Sequence, residues 1–457
     1  MSASSLPPAP VTAPLTRFVA SWRWENVPAE VRHEAKRSLL NFFAVALAGC
    51  KDPTLDIAAR VYARQAGRAE ATIIGRGERS DVLNAAALNA MSANVFDFDD
   101  THAPTIIHPT APIAPAMLAL SETRPVSGEE FLLAFLLGVE VACRLGVAIS
   151  PGHYARGWHI TSTCGIFGAA AASGRLLGLS EQQLSWAFGT ASAQSSGLVE
   201  CLGTMAKSVG VGNAARNGLL SALLAQEGFD GPAQPLEGAR GFLPVYGNDP
   251  DFGGVGQGLG ERWEILRNTY KPYPCGVVLN PVIEACLMLS KALGGPDQAL
   301  SRIESITLTG HSLLRQRTDR PNVRTGRQSQ VSAQHAVPIA LLRGRAGLEE
   351  FSDAAVADPA VRELGTRVQF RDDDDYSIDA ADVTIRLRDG SQFEQSIKIA
   401  KGATARPLSD AALEEKLRDL CRYGRSGCEP EALIEAVWDL DSADEAGGLM
   451  GLAAGRV

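Results

Sequence analysis

Lysine is scarce in this chain. Only Lys36, Lys51, Lys207, Lys271, Lys291, Lys398, Lys401 and Lys416 occur among 43 basic residues, so arginine carries most of the positive charge. The overall balance is acidic, with a formal net charge of −9. That balance argues against a nucleic-acid or membrane-surface role, which would show a basic patch or stripe. The eight cysteines include no CxxC pair, and most lie in apolar runs, where a free thiol behaves as a small hydrophobe. No uncharged run reaches the length needed to span a bilayer. The first fifteen residues, MSASSLPPAPVTAPL, lack the basic and apolar regions of a signal peptide. They read as a disordered arm over residues 1–15, and the thiol usage fits a reducing cytoplasm. No internal repeat is visible.

What is present is a soluble-type composition over 457 residues, 45% hydrophobic and 21% charged, which suggests two or three domains. Up to about residue 265 the pattern is helix after helix: Glu30–Ala48, Asp81–Val95, Ser127–Ile149, Thr161–Leu177, Ser180–Ser196 and Gly210–Glu227. Ser127 with Glu130, and Ser180 with Gln183, have capping-box spacing. Small residues crowd several of these helices, above all from Gly165 to Gly174, and predict close-packed, buried helices. After about residue 270 the pattern changes. Ile303–Thr309 and Val383–Leu387 alternate as strands do, and Asp389-Gly390 predicts a hairpin turn into Gln392–Ile399. Val331–Leu342 and Asp358–Leu364 read as helices between them, and Ser409–Cys421 and Pro430–Leu440 as helices after them. The tail from Ser442 is Gly/Ala-rich and reads as frayed. The expected fold is mainly α: a large helical domain built from both chain ends (16–268 and 402–457) with a smaller α+β lid domain at 269–401.

The densest chemistry lies at Phe96-Asp97-Phe98-Asp99-Asp100-Thr101-His102, followed by His108-Pro109. Carboxylates are disfavoured at a helix C-terminus, and crowded like charges raise one another's pKa. A chain that accepts both costs points to a site, although Asp99 or Asp100 could simply be solvated. Gly157-Trp158-His159 precedes a small-residue helix, where backbone N–H groups favour anions; the plainer alternatives are a core histidine or a cap supplied by Thr161. Lys207 stands in a Gly-rich segment, Gly203–Gly212, that lacks the spacing of a phosphate loop but suits a carboxylate. Lys271, in Lys271-Pro-Tyr-Pro-Cys275, either reaches a cleft between domains or is a solvated linker lysine. Cys275 has no obvious activator. His335 reads as a core histidine, and Asp372–Asp375 as a solvated loop.

Taken together, these stretches resemble the MmgE/PrpD family, whose members include 2-methylcitrate dehydratase, cis-aconitate decarboxylase and iminodisuccinate epimerase. The resemblance runs from about Thr16 to Leu440. It rests on Asn89–His102 with His108-Pro109, Gly157–His159, Gly165–Leu179, Gly203–Phe242, Lys271–Cys275, and Lys401-Gly402 through Pro407–Ser409. It implies a homodimer with no metal and no organic cofactor, and an active site between a helical domain and a lid. Carried over residue by residue, that site falls on Asp97, Thr101, His108, His159, Lys207 and Lys271. The chain departs from the decarboxylases in a loop one residue longer between Thr101 and His108, in lacking a tyrosine near Thr318–Pro321, and in carrying His335 where members often have tyrosine.

The chemistry expected is removal or movement of a proton next to a carboxylate of a small di- or tricarboxylic acid. The conjugate base of such a carbon acid forms only where cations stabilise it. Asp97, His108, His159 and Lys207 are the expected catalytic residues; Thr101, His159, Lys207 and Lys271 are the expected substrate contacts. Dehydration is the first expectation, with epimerisation and decarboxylation as alternatives. Two other classes compete: a Mg²⁺-dependent helical enzyme using Asp97–Asp100, for which a second acidic motif is missing, and a non-catalytic binding protein.

Overall fold

The computed structural model describes residues 9–294 and 299–455, with the side chains of 299 and 300 left aside. These residues form two compact units. The first holds the chain up to Val95, Asp99–Asn268, and Asp410 onward; the second holds Phe96–Phe98 and Thr269–Ser409.

The first unit is built from helices, among them Ala29–Gly49, Val82–Asn94, Thr110–Ser121, Gly128–Ile149, Ile160–Leu176, Ala206–Gln226 and Asp410–Gly424. Ser180 caps the helix Glu181–Ser192 with a complete capping box, whereas Ser127 supplies only the side-chain half of one to Gly128–Ile149. The small residues permit close crossings. A Cβ built on Gly138 would lie 2.7 Å from the carbonyl oxygen of Gly168, and one on Gly168 would lie 2.8 Å from that of Gly138. The helices meet backbone to backbone there, which is why glycine stands on both sides. Gly128–Ile149 is long and apolar enough to cross a bilayer, yet 94% of its apolar window is buried inside the fold.

Both ends of this unit are better ordered than the composition predicts. Residues 1–8 of the expected arm lie outside the described residues, but a helix spans Thr12–Ser21, with Val11, Thr12 and Leu15 buried. Its first N–H groups, those of Val11 and Thr12, donate to the buried carboxylate of Glu237 at 3.2 Å. A carboxylate at a helix N-terminus takes up orphan donors and meets the positive end of the dipole, so the arm folds back. At the other end, Asp410–Gly424 lies against Ala29–Gly49, and a Cβ on Gly424 would come within 1.9 Å of the Leu47 carbonyl oxygen. The expected frayed tail instead forms the helix Gly448–Ala453 with Leu449, Met450 and Ala453 buried. The Ala453 and Ala454 carbonyls accept from the N–H groups of Gly75 and Gly77.

The second unit carries a four-stranded sheet in the order Val368–Asp372, Ile303–Gly310, Ala381–Leu387, Gln392–Ile397. The first pair is parallel, with Leu308 opposite Phe370, and the other two are antiparallel. Ile306, Leu308, Val383, Ile385 and Leu387 point into one core with residues of the helices Asn280–Ala292 and Ala333–Arg343. The Asp389-Gly390 turn forms as the sequence predicts, with Gly390 at φ +88. The parallel edge strand Val368–Asp372 is not predicted by the sequence, because its run VQFRD leads straight into three more aspartates.

Candidate active site

The acidic run begins where the helix Val82–Asn94 stops. Asn94, the last helical residue, donates from Nδ2 to Asp99 Oδ2 at 2.7 Å. Asp99 and Asp100 are both 1% exposed, which corrects the reading of either as a solvated acid. Asp100 Oδ2 accepts from Thr110 Oγ1 at 2.6 Å and from Asn268 Nδ2 at 2.7 Å, while its Oδ1 has no hydrogen-bond partner among the described residues. Burial pushes the Asp100 carboxyl up to about 7, against the pull of those two hydrogen bonds, and the neighbouring Asp99 adds to the rise.

His108 is packed against the same segment. Its Nδ1 lies 2.6 Å from the carbonyl oxygen of Asp100, 3.3 Å from Thr101 Oγ1 and 3.5 Å from Asp99 Oδ1. A carbonyl oxygen can only accept, so Nδ1 carries the proton and Nε2 carries the basic lone pair. The backbone N–H of His108 donates to Thr161 Oγ1 at 3.1 Å. Thr161 is therefore engaged by His108 and is not the cap of its own helix; His159 occupies the N-cap position of Ile160–Leu176.

His159 is buried, with Nδ1 2.7 Å from Ser162 Oγ and its backbone N–H on the Gly197 carbonyl. Ser162 is also where the Lys207 segment arrives. A Cβ on Gly197 or on Gly210 would lie 2.8 Å from Ser162 atoms, so both glycines allow a close approach there. Lys207 is the second residue of the helix Ala206–Gln226, one turn before Gly210, and is half-buried. The first unit thus brings Thr101 and His108 into contact. It places His159 and Lys207 on the elements that touch Thr161 and Ser162, at the N-terminus of Ile160–Leu176.

Asp97 and Lys271 meet in the second unit. Lys271 is 5% exposed, which excludes a solvated linker lysine, and its Nζ donates to Asp97 Oδ2 at 2.8 Å and to the Asp97 carbonyl at 2.7 Å. Asp97 adopts φ +53, a left-handed conformation that an aspartate accepts more readily than most residues. Gln330 Nε2 holds the preceding carbonyl, that of Phe96, at 2.7 Å. The plainer expectations stand as read. Burial pushes the Cys275 thiol up to about 12, away from nucleophile behaviour. His335 is buried with Nε2 on the Glu350 carbonyl at 2.7 Å.

The sequence carries no hint of Asn94, Thr110, Thr161, Ser162, Asn268 or the buried His102–Glu264 pair as partners of the acidic run and its histidines. Most are ordinary polar residues, and the separations reach 53 residues for His108–Thr161, 162 for His102–Glu264 and 168 for Asp100–Asn268. Only the fold brings them together.

Known proteins match the chain over nearly its whole length. A cis-aconitate decarboxylase-like protein of Aspergillus oryzae (oryM) is 28% identical, covering 99% of either chain. The cis-aconitate decarboxylase of Homo sapiens is 27% identical over 93% of this chain and 90% of its own, and that of Aspergillus terreus is 26% identical over 99% and 97%. Residues 13–254 match the model of the MmgE/PrpD N-terminal domain, and residues 273–440 match that of the MmgE/PrpD C-terminal domain. The chain belongs to the MmgE/PrpD family.

Proposed function

We propose that this protein is a lyase of small di- or tricarboxylic acids that transfers a proton at the carbon next to a substrate carboxylate. The observation that carries this reading is His108, whose Nδ1–H is committed to the Asp100 carbonyl so that Nε2 is the nitrogen that exchanges a proton. The N-terminus of Ile160–Leu176, with His159 as its first flank and Lys207 on the neighbouring helix, offers positive charge to a substrate carboxylate. Thr101, beside His108 Nδ1, orients a carboxylate or hydroxyl. Asp97 and Lys271 join the site in this reading, with Lys271 as a further cation. No metal or organic cofactor takes part in it.

Among the possible outcomes, the names of the relatives favour decarboxylation of an unsaturated tricarboxylate over the dehydration expected from sequence. In decarboxylation the bond to one carboxylate breaks, CO₂ leaves, and the electron pair forms a shifted double bond. The carbon next to a second carboxylate then takes a proton from Nε2 of doubly protonated His108. In dehydration neutral His108 removes the proton instead, and hydroxide leaves with a proton as water. The two have opposite pH dependence: decarboxylation is lost, and dehydration gained, as His108 deprotonates.

The test is proton NMR of the purified protein in D₂O with cis-aconitate, citrate, 2-methylcitrate, tartrates and imino diacids, each over a pH series. A deuterated product one carboxylate short, formed faster at lower pH, is the expected result. New olefinic signals from a hydroxy acid would move the assignment to dehydratase. Deuterium uptake with inversion would move it to epimerase, and silence across the panel would overturn the reading.

A further inference from the structure

His102 stands six residues before His108 and has no part in the chemistry proposed above, yet it is fully buried and hydrogen-bonded through both ring nitrogens. Nδ1 lies 2.8 Å from Thr105 Oγ1, and Nε2 lies 3.1 Å from Glu264 Oε2. Thr105 Oγ1 also accepts from the Ile107 N–H at 3.2 Å. One proton arrangement satisfies every group. The Ile107 N–H donates to Thr105 Oγ1, the Thr105 hydroxyl donates to His102 Nδ1, and His102 Nε2–H donates to the Glu264 carboxylate. Burial holds His102 below the usual histidine range, toward its neutral form. Burial opposes ionisation of Glu264, but the His102 hydrogen bond and the charges of Arg267 and Arg262 pull the other way and favour its carboxylate.

Glu264 is itself fixed from below. Its backbone N–H donates to the buried carboxylate of Glu140, which accepts from Arg144 Nε at 2.8 Å. The remaining Arg144 donors reach the carbonyls of Val255, Gln257, Gly258 and Arg262. A buried guanidinium with all five N–H groups engaged is a rigid post. The network runs from the helix Gly128–Ile149 through Glu140, Arg144 and Glu264 to His102.

What the post supports is a backbone-closed turn that carries local strain. Ile106 sits at φ +58, an outlying conformation for a β-branched residue. The turn is closed on His102 from both sides: the His102 N–H donates to the Ile107 carbonyl at 2.7 Å, and the His102 carbonyl accepts from Thr105 and Ile106. Immediately before His102 lie Thr101 and Asp100, whose hydroxyl and carbonyl face His108 Nδ1; immediately after the turn comes His108 itself. We infer that His102 is a positioning residue: braced between Glu264 and Thr105, it holds the strained Ala103–Ile107 turn so that His108 meets the Asp100 carbonyl through Nδ1. This rests on the proton-transfer role proposed for His108.

The test uses three variants of the full chain: His102→Gln, which can still reach Glu264; His102→Ala, which cannot; and Thr105→Val, which removes the other side of the brace at nearly constant volume. Two-bond ¹H–¹⁵N spectra of protein labelled in histidine report the tautomer of each ring, and kcat and KM are measured with whichever carboxylate turns over. In the wild type His108 gives the Nδ1–H pattern. In His102→Ala and Thr105→Val that pattern is expected to give way to mixed tautomers. A drop in kcat of roughly 10²-fold, with KM changed far less, should accompany it, as misplacement of a reacting group does. His102→Gln should recover part of both. Folded variants that keep the His108 tautomer and kcat would overturn the inference. So would loss of folding in all three, which would make the brace a stability element only. Should no carboxylate react while the tautomer still responds, the proposed lyase reading fails and the positioning of His108 stands.

Discussion

Replacing Asp100 with asparagine should change how stability depends on pH, with the slope as the informative quantity. The Asp100 carboxyl titrates near 7 in the folded protein against an ordinary value of 3.8 in the unfolded chain, a difference that amounts to at most roughly 4 kcal/mol. Below about pH 4 both states hold the proton and the term is absent. Between about 4 and 7 the unfolded chain ionises and the folded protein does not, so stability falls with rising pH; above 7 the whole penalty is present. The asparagine in the variant cannot ionise. Its amide oxygen can take over from Oδ2 in accepting from Thr110 and Asn268. Its NH₂ would sit where Oδ1 finds no partner, which costs about 1–3 kcal/mol at every pH and leaves the slope alone. Glu140, also pushed up to about 7 by burial against the pull of Arg144, slopes the same way in both proteins and cancels in the difference. Urea unfolding followed by tryptophan fluorescence at intervals from pH 4.5 to 8 gives that difference directly. The variant should be relatively weaker at low pH and gain on the wild type by a few kcal/mol up to pH 7.5. Parallel curves, or a wild type that gains as pH rises, would show that Asp100 is ionised in place and would refute the reasoning.

His108→Asn should fold normally and lose about 10²–10⁴-fold in kcat, the span removed with a general acid–base group; a variant within threefold of the wild type would remove His108 from the mechanism. Glu237→Ala takes the acceptor from the first N–H groups of Thr12–Ser21 and should cost about 1–3 kcal/mol. Limited trypsin digestion should then cut at Arg17 in the variant and spare it in the wild type, and equal rates would show that Glu237 does not pin the helix. Gly424→Ala drives a Cβ to within 1.9 Å of the Leu47 carbonyl oxygen, where neither backbone can yield, and should lower the melting temperature by several degrees; an unchanged melting temperature would contradict the tight crossing.

The helical framework is legible because its signals are local. Apolar periodicity, Ser180 with Gln183, and the small residues from Gly165 to Gly174 each specify their piece without help from elsewhere. The two chain ends mislead for the same reason. Pro/Ala and Gly/Ala runs look disordered in isolation, and what orders their described residues is a carboxylate at Glu237 and the backbone of Gly75 and Gly77. The site shows the same division. Its titratable residues stand out as residue types in the sequence. Their states do not: the Nδ1 proton of His108 follows from a carbonyl, and the neutral tendency of Asp100 from burial beside Asp99. The left-handed backbone at Asp97 and Ile106 leaves no mark in the sequence at all, because neither residue is a glycine.

For the substrate class proposed above, an anion of charge two or three, a protein of net charge −9 with three aspartates in four residues is a poor host unless each carboxyl is dealt with. The structure does so by three different means. Asp97 is paired with Lys271, Asp99 accepts the amide of Asn94, and Asp100 keeps its proton to about pH 7. The third means fails within the physiological range. Above pH 7 the Asp100 carboxyl ionises next to the carbonyl that holds His108, adding a negative charge in a medium of low dielectric. The KM for a di- or tricarboxylate should therefore climb between pH 7 and 8.5 in the wild type. Asp100→Asn, which cannot acquire that charge, should flatten the climb several-fold. Steady-state kinetics on both proteins decide it. If KM rises equally in the two, the carboxylate repulsion comes from elsewhere, and Asp100 is a structural acid whose proton has no bearing on the substrate.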